Sequence, residues 1–155
     1  MILAASAFDA TSSNSYAGIS RTTALSFTTA DVVVPPLSSS STRDGSSAMS
    51  VEANIELTFS EAVDRESGNI TIKKTSDNST IEAIAVTDSK ITGTGTTQIT
   101  INPTSALAGQ TEYYVLIAAS AFDDTSSNSY AGISSTTALS FTTADVVVPT
   151  LSSST

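Results

Sequence analysis

Residues 120–154 read SAFDDTSSNSYAGISSTTALSFTTADVVVPTLSSS, and residues 6–40 read SAFDATSSNSYAGISRTTALSFTTADVVVPPLSSS. Extended to both chain ends, residues 1–41 match residues 115–155 at a constant offset of 114, and 34 of the 41 pairs are identical. Solenoid repeats run to roughly 20 to 50 residues, so this longer period suits a domain that folds around its own core. The repeat divides the chain into three parts. Residues 1–30 correspond to the closing strand hairpin of one module, 31–144 to one complete module, and 145–155 to the first strand of the next. This is the pattern expected of a segment taken from a tandem array.

Within the complete period, apolar and polar residues alternate in short runs separated by Gly, Asn, Asp and Pro. Such a pattern belongs to antiparallel sheets with one wet face. Seven strands are predicted: A over 32–40, B over 54–59, C over 69–74, D over 80–87, E over 96–102, F over 112–119 and G over 136–142. Pro35 and Pro36 place A at a sheet edge, because proline has no N–H to give to a ladder. The inward set is Ile55, Leu57 and Phe59 from B, Ile70 and Ile72 from C, Ile84 and Val86 from D, and Ile99 and Ile101 from E. Tyr113, Val115 and Ile117 from F and Leu139 and Phe141 from G complete it, with Leu107 plugging one end. The expected fold is all-β, a seven-stranded immunoglobulin-like antiparallel sandwich in a tandem-repeat fragment.

Composition narrows the function. Ser (29) and Thr (25) account for 54 of 155 residues, favouring strands and turns over long helices. The chain has no Cys and no His, which removes disulfides, thiolate chemistry and the commonest general base and zinc ligand. A formal net charge of -9 opposes nucleic acid and anionic membranes. No apolar run reaches the roughly 20 residues of a membrane span, so direct membrane insertion is not expected. An enzyme is not expected either. Asp123 and Asp124 form a carboxylate pair, but no other feature marks a catalytic cleft. Asn69-Ile70-Thr71 and Asn78-Ser79-Thr80 fit a glycosylation pattern that Ser/Thr-rich strands generate by chance.

Taken in order, NIELTFSEAVD (54–64), TQITINPTSALAGQTEYYVLI (97–117), FDDTSSNSYAG (122–132) and ALSFTT (138–143) resemble the bacterial Ig-like repeats of S-layer proteins and giant surface adhesins. The resemblance spans the whole period and rests on the set, since no single piece would suffice. It implies a secreted spacer or adhesive module, extracellular or at the cell surface, strung with neighbouring copies of itself and often stiffened by calcium between domains. Head-to-tail assembly into strings or filaments is the expected structural role. The alternative is a binding module that recognises a glycan or receptor through the FG loop, with Tyr130 as an exposed aromatic.

Strand alternation gathers Asp31, Glu61, Asp64, Glu66, Asp123, Asp124 and Asn128 at one pole, and Arg43, Lys73 and Lys74 at the other. Calcium takes six to eight oxygen ligands, which such a set could supply where two modules meet. Two other readings stay open. One is a merely solvated acidic pole; the other is pairing of the acidic pole of one module with the basic pole of its neighbour, which salt would weaken.

Overall fold

The structure is a computed structural model that describes residue 4 and residues 17–19, 25–42 and 45–149. The chain divides into two compact units, Met1–Asp31 and Val32–Thr155. The hairpin expected in 1–30 falls largely outside the described residues, as do Arg43 and the far end of the strand expected at 145–155. No helix among the described residues is long and apolar enough to cross a membrane.

Ten strands are described in the second unit: β1 Leu37–Ser40, β2 Ser46–Met49, β3 Ile55–Arg65, β4 Asn69–Lys74, β5 Thr80–Ala85, β6 Ile91–Thr92, β7 Thr96–Ile101, β8 Glu112–Ile117, β9 Phe122–Asp124 and β10 Ser140–Thr143. One sheet runs β1-β3-β7-β6, with β9 added to β3, and the other runs β2-β10-β8-β4-β5. This is the two-sheet sandwich that the alternation predicts, with the predicted seven strands all present and three short ones added.

The register follows the inward residues. Ile55 pairs with Ile101 and Leu57 with Ile99 in one sheet, while Ile70 pairs with Ile117 and Ile72 with Val115 in the other. All of these are buried, as are Phe59, Ile84, Val86, Leu107, Tyr113, Leu139 and Phe141. The Tyr113 hydroxyl accepts a hydrogen bond from the Ala108 N–H at 3.0 Å, so the largest polar side chain in the core is satisfied as it ties down the Leu107 plug.

Several boundaries differ from the predicted ones, each for a local reason. Strand A shortens to β1, since Pro35 and Pro36 have no N–H to give to a ladder and residues 32–36 lie outside one. Strand B continues to Arg65 after a register shift between Thr58 and Val63, which lets Val63 return to the core. The polar run Ser60-Glu61-Ala62 conceals this continuation. Strand G begins at Ser140, which is buried, and β2 lies parallel beside it. Strand D hairpins onto β4, and the chain returns to the first sheet through β6, where Ile91 adds an unexpected core residue. The Arg65 guanidinium donates to the Asp88 carbonyl at 2.9 Å and to the Ile91 carbonyl at 2.6 Å, fixing that crossing turn.

Candidate functional site

The sequence places its candidate residues on the pole that carries the β3–β4 turn and the β8–β10 connection. That connection holds the added strand β9, whose pairing decides where each acidic side chain goes. Asp124 stands opposite Val63, Asp123 opposite Asp64, and Phe122 opposite Arg65. Side chains alternate along a strand, so Asp123 and Asp64 share one face while Asp124 shares the other with buried Val63. Glu61, two residues before Val63, approaches Asp124, their carboxylate oxygens lying within 4.8 Å.

The candidate residues therefore face different ways. Asp64 is exposed and accepts a hydrogen bond from Thr94 Oγ1 at 2.9 Å. Asp123 is half-buried, and its Oδ1 has no hydrogen-bond partner among the described residues. Asp31 belongs to the first unit and is exposed. Asn128 turns its amide nitrogen, not its oxygen, towards Asp124, donating to Oδ2 at 2.8 Å. Within the second unit, Glu61 and Asp124 are the candidate residues whose carboxylates come together.

Asp124 has a clear structural task. Its Oδ1 accepts the N–H groups of Ser126 and Asn128, both at 2.8 Å, in an Asx turn that organises the loop. The Asn128 side-chain hydrogen bond, opposed by burial and helped by the two backbone N–H groups, holds the carboxyl below its usual 3.8. A depressed carboxylate adds stability that is present above the unfolded value and lost as pH falls through the folded one. The Ser126 and Asn128 amides are accordingly expected to keep their hydrogen-exchange protection through the ordinary aspartate range and lose it only below pH 3.8. Asp124→Asn should weaken the loop less than Asp124→Ala, because an amide oxygen can still accept both N–H groups. The first repeat copy has Ala10 at the matching position, so its sequence lacks this cap.

Tyr130 is not the exposed aromatic that the sequence suggests. It is buried, with its ring edge-on to Phe59 at 5.2 Å and 88°, while Phe122 meets Phe59 at 5.4 Å. The reason is a contact distant in local pattern: the Tyr130 N–H donates to the Phe122 carbonyl at 2.8 Å, folding the Ser-rich loop back over the core. Burial also raises the Tyr130 hydroxyl above its ordinary value, keeping it neutral. The FG loop thus presents Ser, Thr and Asn rather than a ring on which a sugar could stack.

The opposite pole is not simply basic. Lys73 and Lys74 end β4, but Asp77 lies close enough to Lys74 to feel its charge, and Glu112 begins β8 beside them. The Glu112 carbonyl accepts the Thr75 N–H at 3.0 Å. A second acidic hub sits on the β5 edge. Glu82 accepts from Lys90 Nζ at 2.9 Å and from the Thr104 N–H at 2.8 Å. Its burial opposes the charge, but the hydrogen bonds from Thr104 and Lys90 outweigh it and hold the carboxyl below its ordinary value. Lys74, Thr75 and Glu112 line a shallow depression together with Ser76, Gln110 and Thr111.

A crystal structure of an S-layer protein, rSbsC(31-844), is similar with a TM-score of 0.48 at 18% identity, over 74% of this chain and 14% of that one. The chain therefore spans about a seventh of that protein's length. No curated protein matches. The family model described as bacterial Ig-like domain matches residues 31–143, the stretch that holds every described strand of the sandwich. The chain belongs to the bacterial Ig-like domain family.

Proposed function

We propose that this chain is a structural spacer from a repetitive bacterial surface protein, exposed outside the cell and strung with like modules. The observation that carries this reading is the near-identity of 1–41 and 115–155 at an offset of 114, which matches one sandwich module. Membership of the bacterial Ig-like family supports it, as does a surface rich in Ser and Thr. The role is mechanical rather than catalytic. The candidate pole spends its best-placed carboxylate on capping its own loop, and its aromatic ring on the core.

Antibodies raised against 31–144 are expected to label intact bacterial cells, and electron microscopy of the shed protein should show thin beaded strings. Label confined to lysed cells would remove the surface role. An interdomain ion is a separable addition, for which Glu61 and Asp124 are the candidate holders. Melting in calcium should exceed melting in EDTA if they hold one, and coincident curves would remove that site.

A further inference from the structure

The segment Asp-Val-Val-Val-Pro occurs at 31–35 and again at 145–149, one period apart. The first copy enters the sandwich near β3, where the Pro36 carbonyl accepts the Ser60 N–H at 3.1 Å. The second leaves it at the other end, where the Ala144 N–H donates to the Met49 carbonyl at 2.8 Å and the Ala144 carbonyl accepts the Gln110 N–H at 3.1 Å. Both copies leave three successive valines largely in water, an unusual concentration of exposed apolar surface on a polar chain.

The two copies are exposed in opposite order. At the entry, Val32 is 80% exposed and Val34 50%, and the next residue, Pro35, is buried. At the exit, Val146 is 56% exposed and Val148 78%. Val146 lies across Gly109, where a β-carbon would come within 2.7 Å of its Cγ2 and 3.0 Å of the Ala144 oxygen. The Val147 N–H donates to Asp145 Oδ1 at 2.8 Å, which sets the bend of the departing chain. A module therefore partly covers the third valine of the connector that enters it and the first valine of the connector that leaves it.

If modules follow one another, which rests on the tandem reading above, one connector is both exit and entry. The two partial covers then fall on the same triplet. We infer that the valine triplet is a hydrophobic strap clamped between successive copies of this module, its first residue held by the Gly109 surface behind and its third by the entry surface ahead. Only five residues separate Ala144 from the equivalent of Pro36, a reach of about 20 Å at full extension. β-branched side chains and a closing proline stiffen even that length. The strap holds neighbouring modules at a defined angle, where a Gly/Ser tether of equal length would let them swivel.

The test uses a chain carrying two consecutive periods. Because the sequence has no Cys, one spin label can be placed on each module through a single introduced cysteine. The distance distribution between labels should be narrow in the parent chain. Replacing the three valines of the inner connector by Ser, or Gly109→Val in the leading module, should broaden it by about twofold, towards that of a flexible tether. The same Ser replacements at the outer connector, Val32 to Val34, should leave it unchanged. Two modules that each melt as folded units, with a parent distribution already as broad as the Ser variant, would overturn the strap while leaving the tandem reading intact. A second period that fails to fold would remove the tandem reading and the strap with it.

Discussion

Phe59→Ala is expected to destabilise the sandwich by about 3 to 5 kcal/mol, a large part of the roughly 5 to 15 kcal/mol that holds a domain of this size. Phe59 is 2% exposed and touches both Phe122 and Tyr130 edge-on, so its ring joins the core of β3 to the folded-back FG loop. Removing it leaves a cavity under two aromatic rings that lose their partner. Urea unfolding followed by intrinsic tyrosine fluorescence reads the change as a lower midpoint with little change in slope. Phe59→Leu keeps most of the volume and should cost markedly less. Equal midpoints for parent and Phe59→Ala would mean that the FG loop does not rest on this residue.

Gly132→Ala should cost about 3 kcal/mol, large for the addition of one methyl group. Gly132 has φ +77°, a left-handed backbone that L side chains rarely adopt, and a β-carbon there would lie 2.5 Å from the Ile117 oxygen and 2.7 Å from the Ala119 nitrogen. Those atoms lie at and just beyond the end of β8, where Ile117 and Ile133 exchange two backbone hydrogen bonds of 2.9 Å. The substitution must therefore strain the turn or break that pair. Gly45 is the control. It has φ +70° with nothing within 4 Å of a built β-carbon, so Gly45→Ala should cost only the conformational penalty, about 1 kcal/mol. If the two variants melt together, the close approach at Ile117 is not what demands glycine. Gly18, the equivalent in the first repeat copy, has the same φ of 77°.

The strands most legible in the sequence are those bounded by turn chemistry. β4 matches its predicted span because Gly68 stops it at one end and Ser76-Asp77-Asn78 at the other, with Ile70 and Ile72 alternating between. β2 was not legible. Ser46-Ser47-Ala48-Met49 alternates nothing, Ala48 takes φ 61°, and the strand exists only because β10 offers a parallel edge. The second half of β3 was hidden by the register shift after Thr58, which breaks the two-residue period that the eye follows.

The site was legible by pole but not by face. Sequence order places Glu61, Asp64, Asp123 and Asp124 at one end of the sandwich. It does not disclose β9, whose pairing with β3 sends Asp123 and Asp124 to opposite sides. Tyr130 was misread for the same reason: all seven of its nearest predecessors are polar, yet one backbone hydrogen bond to Phe122 carries its ring into the core. Long-range pairing, not local composition, decides both cases.

The account stands on the 114-residue period being one independently folded module in a string. Pulling single molecules of the repetitive parent protein tests this directly. Successive unfolding events are expected at a constant spacing of about 400 Å of released chain, less the folded length of one module, since an extended residue spans about 3.6 Å. Unfolding in one event, or in steps of unrelated length, would contradict it.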